Sequence, residues 1–170
     1  MQDLYKLTDK DVKKAAIVLK DAFINYPTFQ YLFPDQKERE KKLISVMSFF
    51  TSCGLIYGEV LAPSKNLEGI SIWYSSNDLN FGFRGLFKAG LIETFFKLNI
   101  KSFIKFKNLG DAKRANREKL LGNDYYLLDL IGVDPKFKKQ GHAKAMINTM
   151  LERIEKKRMA NLPAYLHYGV

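Results

Sequence analysis

The stretch from Tyr125 to Ile154 constrains the fold most. Residues 125–133, Tyr-Tyr-Leu-Leu-Asp-Leu-Ile-Gly-Val, form an aromatic, aliphatic and β-branched run closed by Asp134-Pro135. That pattern predicts a strand followed by a turn. After Gly141 the apolar residues fall at Ala143, Met146, Ile147, Met150, Leu151 and Ile154. Their i, i+3, i+4, i+7 spacing predicts a helix with one buried face. Between strand and helix lies the turn Lys138-Lys139-Gln140-Gly141-His142-Ala143. A strand entering a helix through a small-residue turn leaves backbone N–H groups unpaired at the helix start. With the positive end of the helix dipole, these make a site for phosphate oxygens. Gly141 permits close backbone approach, and Ala143 keeps the first helical turn slim. Gly132, inside the strand, predicts a bulge or a close backbone contact.

The 170 residues are 46% hydrophobic, which fits one domain with a real core, residues 1–170. No apolar run reaches the length of a membrane span, and Met1-Gln2-Asp3-Leu4-Tyr5 lacks the basic and apolar regions of a signal peptide. The single cysteine, Cys53, cannot form an internal disulfide, and it sits among Phe49, Phe50 and Leu55 as a buried, inert thiol would. A cytoplasmic location is the expectation from these features. The net charge of +10 favours anionic partners. Coenzyme A is one, nucleic acid and an acidic membrane surface are others, and a solvated lysine-rich surface accounts for the same charge.

In chain order, residues 3–7 read as a first strand. Thr8 is a helix N-cap with Asp9 and Asp11 in the first turn, and Val12, Ala15, Ala16, Leu19 and Phe23 define a helical face to about Ile24. Tyr26-Pro27 breaks that helix, and residues 29–33 suit one further helical turn. Asp35 caps a second long helix with Leu43, Val46, Met47 and Phe50 on its face, expected to end near Gly54. Residues 58–62 and 67–74 predict a hairpin joined by Pro63-Ser64-Lys65-Asn66. From about 80 to 121, phenylalanines and lysines interleave, with Phe83, Phe87, Phe95, Phe96, Phe103 and Phe106 against Lys97, Lys101 and Lys105. This predicts a helical insertion, aromatic on one side and basic on another, broken at Gly110-Asp111. The insertion is read first as core plus solvated face, then as a lid, then as a membrane-surface helix. The order is β, α, α, β, β, helical insertion, β, α, β, with the last strand at 162–167: a mixed α/β fold.

The order strand, Val133-Asp134-Pro135, then Lys138-x-x-Gly141-x-Ala143 and helix resembles the acyl-CoA-binding motif of the GNAT superfamily of N-acetyltransferases. Lys138 stands where that family usually has Arg or Gln, and a donor is kept. The resemblance covers nearly the whole chain in element order and is specific in residues 127–144, with Gly69-Ile70-Ser71-Ile72-Trp73 in support. It implies a GNAT-like acyl-CoA N-acyltransferase fold, truncated at the C-terminus: the family continues past this region with a helix and two strands. An uncovered strand near 164–168 is then expected to recruit a second copy, giving a homodimer.

The resemblance further implies acetyl transfer from acetyl-CoA, as co-substrate and without a metal, to a primary amine on a small molecule or peptide. Backbone groups of Ile131, Gly132 and Val133 are expected to pair with the pantetheine arm. A bulge near Gly132 is expected to polarise the thioester carbonyl. The turn Lys138, Lys139, Gln140, Gly141, His142, Ala143 and Lys144 is expected to bind the pyrophosphate. Strand alternation places Leu127, Asp129, Ile131 and Val133 on one face. Asp129 is the candidate general base, although the family's commonest position for it falls at Leu127. The other readings of Asp129 are a carboxylate satisfied by neighbouring elements or one that binds the substrate amine. His142 reads as a surface residue, and His167 as a histidine near the last strand that could face the cleft. The competing function classes are a non-catalytic acyl-CoA-binding module and, less favoured, a basic nucleic-acid-binding domain.

Overall fold

The computed structural model describes residues 3–79, 81–120 and 125–160. Strand β1 (Tyr5–Lys6) is followed by one 3-10 turn, Asp9–Asp11, that runs into helix α1 (Val12–Phe23). Asp11 holds this entry. Its carboxylate accepts from the Thr8 amide at 2.8 Å, the Thr8 hydroxyl at 2.9 Å and the Tyr5 hydroxyl at 2.9 Å. The Thr8 amide contributes most to holding Asp11 below the usual carboxylate range. Helix α1 buries Ala15, Ala16, Val18 and Leu19.

Helix α2 (Pro27–Leu32) opens on Pro27, where the missing N–H costs nothing. Helix α3 (Gln36–Tyr57) is capped by Asp35, which accepts from the Glu38 amide at 2.8 Å. It continues one turn past Gly54, where the sequence predicted an end. Gly54 serves close packing instead of termination. A Cβ there would lie 2.6 Å from Val60 Cγ2 and 2.7 Å from Ile72 Cγ2, so its hydrogen is what lets α3 lie on the sheet. The helix stops at Gly58, where a side chain would run into the Trp73 carbonyl.

Strands β2 (Glu59–Ala62), β3 (Gly69–Ser75) and β4 (Tyr126–Val133) complete an antiparallel sheet in the order β1-β2-β3-β4. Strand β3 is buried from Gly69 to Tyr74, as expected of an inner strand covered on both faces. On one face Ile70, Ile72 and Tyr74 join the main core with Ala15, Leu19, Val46 and Met47 from α1 and α3. On the other, Trp73 packs with Leu61 and Met150 of α7 (His142–Ala160). The buried face of α7 is narrower than its apolar spacing suggests. Met146 and Met150 are buried, whereas Leu151 is exposed. Arg153 on this helix reaches Glu59 of β2 at 3.0 Å.

The insertion comprises α4 (Phe83–Lys88), α5 (Leu91–Lys97) and α6 (Ile100–Leu120). The expected break at Gly110 is absent, and α6 runs through it; a Cβ there would meet nothing within 4 Å. The breaks come earlier. Gly90 takes a left-handed φ of 90° between α4 and α5, and Leu98 is extended before Asn99, whose side chain accepts from the Ser102 amide at 2.8 Å. The Lys97, Lys101, Lys105 row therefore spans two helices. Leu86 of α4, Ala89 at its C-terminal cap and Leu91 of α5 pack on Phe49 and Cys53 of α3, while Phe103, Phe106 and Leu109 of α6 pack on the main core. The expectation of one buried aromatic side fails: Phe83, Phe87 and Phe96 are exposed. Among the described residues no helix is long and apolar enough to cross a membrane. The expected last strand at 162–167 and His167 lie outside the described residues.

Candidate functional site

The ladder between β3 and β4 pairs Ile72 with Leu130 and Trp73 with Leu128, which leaves Asp129 as the extra residue of a β-bulge. A bulge or a close backbone contact was expected at Gly132, and the bulge is not there: Gly132 pairs regularly with Ile70. The close contact is what requires Gly132. Its Cβ would lie 3.0–3.1 Å from Ala22, Leu19 and Phe23, so glycine lets α1 close on the strand.

One extra residue changes every face that follows. Leu127 and Leu130 both pack on the α1–α3 core, and Tyr126 and Leu128 pack with Trp73 and Met150 on the α7 side. Val133, beside Gly69 and Met146, belongs to the α7 side. The shared face expected for Leu127, Asp129, Ile131 and Val133 is therefore split: the bulge turns Ile131 and Val133 away from the side that holds Leu127.

Asp129 is half-buried. Its charge acts on two groups of the α3 side. Burial, with Asp129 adding to it, pushes the Cys53 thiol up to about 12 and raises the Tyr74 phenol further above its usual value. A thiol held neutral is a poor nucleophile. Native Cys53 should resist iodoacetamide at mildly alkaline pH and react fully in guanidinium; rapid labelling of the folded protein would contradict this burial.

Past Val133 the ladder continues with the Asp134 amide donating to Glu68 O at 2.9 Å. Backbone direction alternates along a strand, so Gly132 points its polar groups toward β3 while Ile131 and Val133 point theirs to the opposite edge. Among the described residues β4 is the outermost strand at that edge. Asp134 then caps the 3-10 turn Pro135–Phe137 by accepting from the Lys136 amide at 2.9 Å.

The turn into α7 has two left-handed residues, Lys139 at φ 65° and Gly141 at φ 84°. For lysine this conformation costs on the order of 1 kcal/mol, and such strain collects at ligand sites. The first helical bond runs from the Ala145 amide to Gly141 O at 2.9 Å. The amides of His142, Ala143 and Lys144 thus form the open first turn of a 19-residue helix. Nothing lies within 4 Å of a Cβ built on Gly141, so the space above the turn is clear.

His142 is half-buried rather than a surface residue. Its ring meets Phe137 edge-on at 6.1 Å between centroids, and its Nε2 is buried without a hydrogen-bond partner. Close to it is Glu68, an acid that sequence reasoning passed over because it lies in the hairpin loop. Burial alone would raise the Glu68 carboxyl. Its own backbone amide, Ser64 Oγ at 2.8 Å and Asn66 outweigh that, with His142 adding a smaller effect, and Glu68 stays below the usual range. The turn is therefore cationic at Lys138, Lys139 and Lys144, with one carboxylate set behind His142.

A separate cleft lies elsewhere. It measures about 610 Å³ and is lined by Tyr57, Glu59, Trp73, Tyr126, Met150 and Lys157, among others. It opens at the Tyr126 end of β4, roughly 20 Å of strand away from the turn. Among the described residues no group of three or more His, Cys, Asp or Glu is arranged to hold a metal.

No family model matches the chain. Over 176 aligned residues, 94% of this chain and 70% of the other, it is 27% identical to a Schizosaccharomyces pombe protein named as an uncharacterized N-acetyltransferase. This chain, whose described residues form a mixed α/β structure with a four-stranded antiparallel sheet, is similar along nearly its whole length to a protein that bears an acetyltransferase's name.

Proposed function

We propose that this chain is a GNAT-type N-acetyltransferase that moves the acetyl group of acetyl-CoA to a primary amine. The observation that carries the reading is the arrangement along one strand: a bulge at Asp129, an outer edge at Ile131 and Val133, and a left-handed turn at Lys139 and Gly141 opening α7. The similarity to a named N-acetyltransferase supports it.

The parts divide the work as follows. The amides of His142, Ala143 and Lys144 receive the pyrophosphate oxygens, with the helix dipole behind them and the Lys138 and Lys139 ammonium groups beside them. The clear space above Gly141 admits the phosphate closely. The pantetheine arm pairs with the edge groups of Ile131 and Val133 as an added strand would. Gly132 contributes by letting α1 seat against β4, since its own polar groups turn inward. Asp129 takes a proton from the acceptor ammonium. The amine nitrogen then forms a bond to the carbonyl carbon, the carbon–sulfur bond breaks, and the second proton of the nitrogen passes to the departing thiolate, directly or through water, so that an amide and coenzyme A thiol leave and Asp129 returns its proton to solvent.

The test is thiol release from acetyl-CoA in the presence of a panel of polyamines, aminoglycosides, amino acids and peptide N-termini. Release that depends on an amine, with an acetylated product in the mass spectrum, is the expected result. Saturable acetyl-CoA binding with no turnover on any amine would overturn the enzymatic reading and leave an acyl-CoA-binding module.

A further inference from the structure

The insertion carries an exposed surface that the acetyl-transfer reading does not use. Helices α4, α5 and α6 are docked by defined inner faces, Leu86 and Ala89, then Leu91 and Thr94, then Phe103, Phe106 and Leu109. Ser102 Oγ also donates to Leu32 O at 3.3 Å. Their outer faces carry large apolar side chains among the cations. Phe83 and Phe96 are each 79% exposed, Ile100 is 59% exposed, and Phe87, Ile92 and Ile104 stand out with them. Half-exposed aromatic and aliphatic side chains scattered singly need no explanation, but six on three consecutive helices do.

Their chemistry is regular. Five of these residues are each followed at once by a cation: Phe83-Arg84, Phe87-Lys88, Phe96-Lys97, Ile100-Lys101 and Ile104-Lys105. On a helix the next residue lies about 100° around, so each cation flanks its apolar neighbour and both stay at the surface. Residues 83–107 hold six basic side chains and a single acid, Glu93, which pairs with Lys97 at 2.5 Å. Lys105 Nζ lies 4.5 Å over the ring of Tyr31 on α2, which extends the same surface.

We infer that the outer faces of α4, α5 and α6 dock on an anionic lipid surface. The rings and isoleucines enter the headgroup and upper acyl region, and the flanking cations meet lipid phosphates and carboxylates. Charge complementarity commits the surface to this occupant. A second copy of a chain of net charge +10 would bring like charge against it, whereas an anionic membrane neutralises the lysines. Among the described residues no helix can span a bilayer, so the contact is interfacial. The inference stands independently of whether the chain transfers acetyl groups.

Sedimentation with phosphatidylcholine vesicles, with and without phosphatidylserine, tests it. Partition should rise at least about 10-fold with the anionic lipid and fall as salt is added. The pair Phe83→Ser with Phe96→Ser, and separately Lys88→Glu with Lys101→Glu, should each lower partition about 10-fold or more. All four positions are exposed, so both variants should keep the parent melting curve. Failure to partition on anionic vesicles would overturn the inference, as would unchanged partition by both variants. A lipid-independent dimer that Phe83→Ser with Phe96→Ser dissolves, with no vesicle binding, would assign the surface to self-association and overturn it equally.

Discussion

Replacing Asp129 with asparagine should lower turnover by about 100- to 10,000-fold while leaving acetyl-CoA affinity within about threefold. The amide keeps the shape of the carboxylate but cannot take a proton from an ammonium. The bulge fixes the position: with Leu128 and Leu130 in register against Trp73 and Ile72, the extra residue projects where the ladder is interrupted. The acid limb of the pH–rate profile should go with the carboxylate, because the amide that replaces it does not titrate. The substitution also has a readout independent of catalysis. Burial comes first in raising the Cys53 thiol, and the Asp129 charge adds to it. Removing that charge should bring the thiol down from about 12 and speed its labelling at high pH. Wild-type activity across the pH range would take Asp129 out of the mechanism and leave it as a carboxylate satisfied by its neighbours.

The same substitution, glycine to alanine, should have opposite signs at two helical positions. At Gly54 a new Cβ meets Val60 Cγ2 and Ile72 Cγ2 at 2.6 and 2.7 Å. Both neighbours are β-branched and held in a close-packed core, so neither gives way cheaply. Overpacking of this kind costs about 1–3 kcal/mol. The gain in helix propensity, about 1 kcal/mol, offsets only part of it. Gly54→Ala should therefore lose roughly 1–2 kcal/mol, and Gly54→Val more, since valine adds bulk without that gain. At Gly110 the Cβ enters open space on an exposed stretch of α6. Gly110→Ala should gain about 0.5–1 kcal/mol. Denaturant melts of both variants decide the point. Equal effects of the same sign would mean that α3 does not lie on the sheet as closely as Gly54 indicates.

Much of the fold was legible because its elements are periodic. The strand ending at Val133-Asp134-Pro135, the turn with Gly141 and the helix face of Met146 and Met150 follow from spacing and turn chemistry alone. What could not be read is where glycine acts through a neighbour. Gly54 and Gly110 look alike in sequence, as a helix end and a break, and Gly132 reads equally as a bulge or a close contact. In the structure they are a close crossing, a tolerated interior position and a seat for α1. The bulge at Asp129 was illegible for a related reason. It is a property of the pairing with β3, and it reverses which side of the sheet Ile131 and Val133 face. The left-handed Lys139 carries no compositional signal, and Glu68 reaches His142 from a hairpin loop about 70 residues away in the chain. The Phe/Lys insertion misled by its periodicity, since its apolar residues divide between an inner face and an outer one.

The turn before α7 carries the proposed acetyl-CoA site, and calorimetric titration of acetyl-CoA into the wild type and Gly141→Glu tests it most directly. Glutamate at φ 84° adds a negative side chain to the clear space beside the open amides of the first turn. Gly141→Asn, which tolerates the left-handed conformation and adds no charge, separates backbone strain from repulsion. Saturable binding to the wild type is predicted, with a loss of at least about 10-fold in Gly141→Glu and a smaller loss in Gly141→Asn. Wild-type affinity in a Gly141→Glu variant that melts like the parent, or no acetyl-CoA binding by the wild type at all, would contradict it.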